Sequence, residues 1–141
     1  MERIKLYAKN IHTGCDKVVM ECHLPPKNPD NPEIETPAVI IFPGGGYAFC
    51  SEREATPVAN VFLAQGYAAF VVRYTLAPEC EVYNPLLDAA MAVHTVRTNA
   101  DEFGVDPAVI LRRISRLHGT VISYPTGLTS QTFPRAPMPQ S

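Results

Sequence analysis

The stretch IIFPGGGYAFCSERE, residues 40–54, joins an apolar run to three consecutive glycines and then to a segment rich in Ser and Glu. The run from Pro37 to Phe42 is apolar throughout, which is typical of a β-strand that is buried on both faces. Ser51 and the nearby glutamates are typical of a helix N-terminus, where an oxygen cap and negative charge are favourable. A strand, a glycine loop and a helix in this order indicate the carboxyl end of a parallel sheet, where open α/β sheets bind their ligands.

The three glycines allow more than one interpretation. A dinucleotide fingerprint requires G-x-G-x-x-G and a phosphate loop requires G-K-[S/T], and neither pattern occurs here, so nucleotide binding is disfavoured. An oxyanion hole needs only free backbone N–H groups, which stabilise the negative oxygen of a tetrahedral intermediate. A tight turn without chemistry is the alternative. Three glycines between a buried strand and a capped helix favour the oxyanion hole.

The remaining strands are predicted from side-chain alternation. Residues 2–8 and 17–24 alternate apolar and polar side chains, which predicts two half-exposed strands. Residues 67–74 form a second continuous apolar run, typical of a buried strand. Two strands followed by strand–helix–strand–helix indicate an α/β fold, with an antiparallel edge on a mainly parallel sheet and helices on both faces.

Both helices are predicted from their start and stop signals. The first begins at Ser51 and stops at Gly66, and the second begins at Asn84-Pro85 and stops at Gly104. The second helix is expected to pack through an apolar face, which consists of Leu86, Leu87, Ala90, Met91, His94 and Val96.

Composition excludes several classes of protein. The 141 residues are enough for one domain with a core, and a net charge of −2 gives no reason to expect nucleic acid or an anionic membrane surface as a partner. No apolar run has the length of about 20 residues that a membrane-spanning helix needs. The N-terminus lacks a signal-peptide pattern, so a cytoplasmic protein is expected. The four cysteines fit no metal-ligand spacing, and neither a metal nor a cofactor is expected.

The charge distribution divides the chain near residue 110. All 14 acidic residues lie at or before Asp106, whereas the sequence after it contains four arginines and many Ser, Thr and Pro residues. A change of composition this sharp is typical of a domain boundary or a tail. Residues 1–110 are therefore interpreted as one portion of a domain and residues 111–141 as an atypical tail.

Three motifs carry a resemblance to a known family. FPGGGY at 42–47, RYTLAPE at 73–79 and VRTNADEFGVDP at 96–107 resemble the α/β-hydrolase esterases and lipases. The carbohydrate-acetylesterase-like branch, related to the hormone-sensitive-lipase group, is the most similar. Residue 42 is Phe where the family usually has His. The motifs follow the family's order, so the resemblance implies the N-terminal part of an α/β-hydrolase fold.

The resemblance also implies a site. The backbone of Gly44, Gly45 and Gly46 would form the oxyanion hole, and Tyr47 would contact the substrate. The substrate would be a small-molecule carboxylic ester, such as an acetylated sugar, hydrolysed through an acyl-enzyme. Asp88 and Arg97 would be structural members of the second helix.

The nucleophile of that family is missing. Its G-x-S-x-G elbow needs small residues around the Ser, and this pattern occurs nowhere in the chain. Ser115 is the only hydroxyl near the expected position, and the residues two positions away on either side, Arg113 and Leu117, are not small. Arg112 and Arg113 also occupy a strand that is expected to be buried. The catalytic residues are therefore unknown, and the chain as given is expected to be inactive.

No other side chains compose a catalytic triad in the sequence. Cys50 has no base paired with it, and Ser51 is explained as a helix cap. His12 and His23 are expected on exposed edge strands or their turns, and His94 on the packed face of the second helix. His118 lies in the atypical tail.

Three origins of the tail stay open: a frameshift or aberrant join near residue 111, an internal deletion, or a short protein that uses half of the fold for binding. The loss of acidic residues and the composition rich in Arg, Ser and Pro suit an out-of-frame translation, which is placed first. TVISYP at 120–125 resembles the family's next core strand, which supports a deletion as the second origin. The alternative function is a non-enzymatic ligand- or partner-binding half-domain. In each case an exposed sheet edge is expected to promote self-association.

Overall fold

The computed structural model describes residues 1–9, 11–27, 29–31, 33–45, 48–76, 78 and 84–114, and for residues 112–114 it describes the backbone alone. In this part of the chain the strands are β1 (Glu2–Lys5), β2 (Val19–His23), β3 (Thr36–Phe42), β4 (Ala68–Arg73) and β5 (Val105–Ile114). The α-helices are α1 (Thr56–Ala64), α2 (Asn84–Thr98) and α3 (Ala100–Phe103). Single 3₁₀ turns cover Cys15–Lys17 and Glu52–Glu54.

The strands form one mixed sheet in the order β1-β2-β4-β3-β5. β2 pairs antiparallel with both β1 and β4, whereas β3 pairs parallel with both β4 and β5. The α/β fold with an antiparallel edge is thus confirmed. Because parallel strands end at the same edge of a sheet, the carboxyl ends of β3, β4 and β5 lie side by side.

Two layers of side chains bury the two faces of the sheet. Ile40 and Phe70 face α2, where Ala92 and Val96 pack against them. Their strand neighbours Val39, Ile41 and Val71 point to the other face, where Ala55 and Ala59 cover them. This is the period-two alternation of β-strands, and it explains why β3 and β4 read as continuous apolar runs.

The expectation that β2 is half-exposed was wrong. β2 lies inside the sheet, and its polar residue Glu21 is only 2% exposed. Glu21 is buried because Arg3 and Arg73, on the two neighbouring strands, both donate hydrogen bonds to its carboxylate. The ion pairs with these two arginines therefore decide that Glu21 is buried. A polar position in the sequence does not reveal such partners.

The first helix begins later than predicted. Glu52–Glu54 form a 3₁₀ turn, α1 begins at Thr56, and the Ser51 side chain makes no capping hydrogen bond. Pro57 in the first turn of α1 suits this start, because its ring fixes a helical φ and its missing N–H is not needed there. Gly66 follows the helix with φ +88, as the stop signal predicted.

The predicted packing face of α2 was only partly correct. Val96 is buried and Met91 packs against the core, but the other four predicted residues, Leu86, Leu87, Ala90 and His94, are exposed. The residues that α2 buries include Asp88, Ala92 and Val96, spaced four apart, while Leu86 is 66% exposed and His94 is exposed as well. The polar Asp88 faces inward because hydrogen bonds satisfy its carboxylate, and this rotates the leucines outward. A separate short helix, α3, follows and ends at Gly104 with φ +68.

β5 continues past the predicted boundary at residue 110. It pairs with β3 up to Phe42↔Ile114, and the register places Arg112 beside Ile40 and Arg113 beside Ile41. The division of the chain at 110 and 111 stays a prediction, but it falls inside a strand. The helices that the structure describes include none long and apolar enough to cross a membrane.

Candidate active site

The glycine loop, residues 43–50, leaves the carboxyl end of β3. It turns back on itself, because the Ala48 N–H donates to Gly45 O at 3.1 Å and the Ser51 N–H donates to Gly44 O at 2.7 Å. Gly46 and Tyr47 lie outside the described residues, so the second expected donor and the expected substrate contact stay predictions. The loop is therefore a tight turn at the position where a ligand site was predicted.

Gly45 has a conformation that only glycine adopts readily. Its φ is +149, and a Cβ added to it would lie 1.9 Å from the carbonyl oxygen of Phe49. A side chain at this position would have to displace backbone rather than a flexible side chain. This explains why the loop requires glycine here.

The loop N–H groups differ in what they contact. The Gly44 N–H donates to Glu54 Oε2 at 2.6 Å, so a carboxylate already occupies this donor. Among the described residues, none accepts a hydrogen bond from the Gly45 N–H. A negative oxygen arriving at the loop would thus meet the Gly45 donor unused and the Gly44 donor engaged.

The end of β4 braces the glycine loop. Tyr74 Oη donates to the carbonyl oxygen of Pro43, and the Arg73 guanidinium donates to both oxygens of Glu52 at 2.8 and 3.1 Å. Arg73 Nε also donates to Glu21 Oε1 at 3.0 Å. Burial opposes the charge of Arg73, but these hydrogen bonds outweigh it and raise the pKa of Arg73. The bracing role was not predicted, although both residues belong to the RYTLAPE motif.

Cys50 and Ser51 lie beside the loop but lack the features of a nucleophile. Cys50 is half-buried, and burial raises the pKa of its thiol even though Arg73 and the Tyr74 backbone oppose the shift. A raised pKa keeps the thiol protonated and weakly nucleophilic. Ser51 contributes its backbone N–H to the turn. Ser115 and His118 lie outside the described residues.

The histidines lie elsewhere than expected. His23 is buried on β2 rather than exposed, burial lowers the pKa of its ring, and its Nε2 has no hydrogen-bond partner among the described residues. His94 is exposed on α2. His12, expected in an exposed turn, has a buried side chain whose Nε2 lies 2.9 Å from Asp88 Oδ1. Burial at His12 and His23 comes from distant neighbours, which sequence position alone does not show.

Asp88 is the centre of a buried polar cluster. Tyr7 Oη donates to its Oδ1 at 2.6 Å, and the N–H and hydroxyl of Thr75 donate to its Oδ2 at 2.7 and 2.6 Å. Asp88 is fully buried, as suits the structural role that the resemblance implied. Arg97 is exposed in the last turn of α2, where a positive charge complements the helix dipole.

Two depressions in the described surface lie away from the glycine loop. One of about 580 Å³ is lined by residues between Ile11 and Asp16, and one of about 300 Å³ lies between the start of the chain, the end of β2 and Leu63 of α1. Within the described residues, no group of three or more His, Cys, Asp or Glu side chains could hold a metal ion. The glycine loop therefore remains the candidate site because of its donors, rather than because of a cavity.

Comparison with known proteins agrees with the fold described above. A family model described as BD-FAE matches residues 22–113. The crystal structure of MGS-M1, an α/β hydrolase enzyme from a Medee basin deep-sea metagenome library, is 36% identical and has a TM-score of 0.70, over 79% of this chain and 44% of that one. The acetyl ester-xyloside bifunctional hydrolase of Caldicellulosiruptor lactoaceticus is 27% identical with a TM-score of 0.71, over 80% of this chain and 42% of that one.

One curated relative is an endo-1,4-beta-xylanase B of Butyrivibrio fibrisolvens, which is 33% identical over 79 residues. The match covers 54% of this chain and 12% of the xylanase. The chain thus spans less than half the length of the two crystal structures and a small part of the xylanase.

Proposed function

Because the chain belongs to the BD-FAE family of α/β-hydrolase esterases, we propose that it carries the oxyanion-stabilising part of a carboxylic-ester hydrolase. The observation that carries this proposal is the Gly45 N–H at the carboxyl end of β3, which donates to no described residue. During ester hydrolysis the carbonyl oxygen gains negative charge, and a donor held ready for it lowers the barrier. Gly46 would supply a second N–H, and Gly44 would orient the loop through Glu54.

The proposed substrate class is an ester of a sugar, with acetylated sugars first. The support is the resemblance to carbohydrate esterases, since one similar structure is an acetyl ester-xyloside hydrolase and one curated relative is a xylanase. Tyr47, which directly follows the glycines, is the proposed substrate contact.

We further propose that the chain does not complete the reaction by itself, because its 141 residues contain no G-x-S-x-G elbow. Purified chain with p-nitrophenyl acetate is expected to release nitrophenol at the buffer rate. A rate that rises with protein concentration and is abolished by a serine-directed reagent would overturn the proposed inactivity. Ser115→Ala and Cys50→Ala would then show which side chain is the nucleophile.

The Gly45 N–H donor, in a chain that lacks the nucleophile elbow, also favours ligand binding as a second function. Titration with acetylated xylose, followed by ¹H–¹⁵N NMR, should shift the Gly45 amide resonance saturably and leave that of Gly66 unchanged. Gly66 is a suitable reference because it also has a positive φ but lies outside the glycine loop. If both resonances stay in place up to millimolar ligand, the glycine loop binds no sugar ester and the oxyanion proposal loses its support.

A further inference from the structure

The side chain of His12 lies between two groups that accept hydrogen bonds. Its Nδ1 is 2.9 Å from the carbonyl oxygen of Thr13, and its Nε2 is 2.9 Å from Asp88 Oδ1. A carbonyl oxygen has no proton to donate, and a neutral imidazole has only one N–H. Both contacts can therefore be hydrogen bonds only if the His12–Asp88 pair carries one extra proton. The reference is a neutral imidazole beside an ionised carboxylate.

The other neighbours of Asp88 make that extra proton favourable. Tyr7 and Thr75 already supply three donors to this carboxylate, whose oxygens act as acceptors in all three contacts. Burial and the hydrogen bond to Asp88 raise the pKa of Tyr7, so Tyr7 remains a donor. The His12 side chain is 9% exposed and that of Asp88 is 0% exposed, so water screens their attraction weakly.

We propose that the His12–Asp88 pair is a pH-dependent latch, which fastens residues 11–18, the segment before β2, onto helix α2. The pair takes a proton from water when the latch closes and returns it when the latch opens. Among the described residues, the titratable and charged groups around the pair include Asp88 itself on α2, Tyr7, whose ring is edge-on to His12 at 5.2 Å, and Cys15, whose charge acts on Tyr7. Asp16 lines the same surface depression as His12. Without the extra proton, one lone pair of His12 faces an acceptor.

The sign of the pH effect follows from this geometry. A histidine that gains a carboxylate partner on folding binds its proton more tightly in the folded state than in the unfolded state. The stabilisation is therefore complete below the ordinary titration range of histidine, near pH 6.5, and is lost as the pH rises through the folded midpoint of His12. Residues 11–18 should loosen in that upper range while the sheet stays intact.

The test is a histidine titration of the intact chain by ¹H–¹³C NMR, with resonances assigned through His12→Gln and His94→Gln. The exposed His94 is the internal reference. The midpoint of His12 is expected about one pH unit or more above that of His94, as a buried opposite charge predicts. Amide exchange at residues 11–17, corrected for the intrinsic pH dependence, should accelerate across the same range, more than exchange in β3 and β4.

Two outcomes would overturn the latch. One is a His12 midpoint at or below that of His94. The other is His12→Gln protein whose exchange at residues 11–17 changes with pH as it does in the unmodified chain. The midpoint is read from the unmodified chain, so the test does not depend on the folding of a variant. It is also independent of ester hydrolysis and of sugar binding, so the latch and the proposed function fail separately.

Discussion

Glu54 Oε2 accepts a hydrogen bond of 2.6 Å from the Gly44 N–H, ten residues earlier in the chain. The carboxylate comes from the 3₁₀ turn that Arg73 holds through Glu52, so the sheet, the turn and the glycine loop form one connected unit. A loop that presents donors to an anion must be held without using all of those donors internally. Here the Gly44 N–H is used to fix the loop, and the Gly45 N–H donates to no described residue.

Replacing Glu54 tests this bracing. Glu54→Ala should speed amide exchange at Gly44 and cost about 1–2 kcal/mol of the free energy of unfolding, since it removes a charge-assisted hydrogen bond. Glu54→Gln keeps an acceptor oxygen and should restore most of the protection. Arg53→Ala, at an exposed position in the same turn, is the control. Equal exchange at Gly44 in all three variants would show that the contact does not hold the loop.

Gly45→Ala should destabilise the protein by about 3 kcal/mol or more, because two costs add up. Alanine would be strained at a φ of +149, and its Cβ would clash with the Phe49 carbonyl. The matched control is Gly66→Ala, which also has a positive φ (+88) but no atom within 4 Å of the added Cβ. That change should cost only about 1–2 kcal/mol. Urea unfolding of both variants measures the difference, and equal losses would contradict the role of the Phe49 contact.

The two arginines on Glu21 should contribute unequally. Arg73 is 18% exposed and also holds Glu52, whereas Arg3 is 61% exposed. Arg73→Ala is expected to cost about 2–3 kcal/mol, because it removes a mostly buried guanidinium that holds both Glu21 and Glu52. Arg3→Ala is expected to cost at most about 1 kcal/mol, because water screens the exposed Arg3. Denaturant unfolding at pH 7 gives both values. A larger loss for Arg3→Ala would reverse the assignment.

Acid should weaken the protein through Glu21. Burial alone would raise the pKa of Glu21, but the hydrogen bonds and charges of Arg3 and Arg73 lower it below its ordinary value. A lowered folded pKa means that the stabilisation is present above about pH 4.3, the unfolded value, and is lost as the pH falls through the folded pKa. Glu21→Gln should show a smaller loss of stability between pH 5 and pH 3 than the unmodified chain, measured by thermal unfolding.

Self-association through β5 is a further expectation. In the part of the chain that the structure describes, β5 pairs with β3 on one side only, and Val109 on this strand is 37% exposed. An unpaired strand edge is a template for pairing with another chain. Sedimentation velocity should show dimers or larger species that increase with concentration. A strictly monomeric sample with one sharp melting transition would contradict this.

The sequence predicted the buried strands well, because burial on both faces leaves an apolar run that depends on no distant partner. It failed where a distant partner decides the outcome. Glu21 is buried by two arginines, and Asp88 turns α2 so that its leucines point outward. The glycine run indicated a loop at this position. The contacts that brace it, from Glu54 to Gly44 and from Tyr74 to Pro43, involve other segments and leave no local pattern.

The strand order also has a consequence for the course of folding. β2 pairs with β4, and the contacts that stabilise this arrangement join distant parts of the chain. Glu21 and Arg73 are 52 positions apart, and Tyr7 and Asp88 are 81 positions apart. Long chain closures are costly in entropy, so they follow the shorter β3–α1–β4 crossover. During synthesis the first two strands therefore leave the ribosome early and wait for β4 and α2. Until those elements are available, we expect the edge of β2 that later pairs with β4 to stay unpaired.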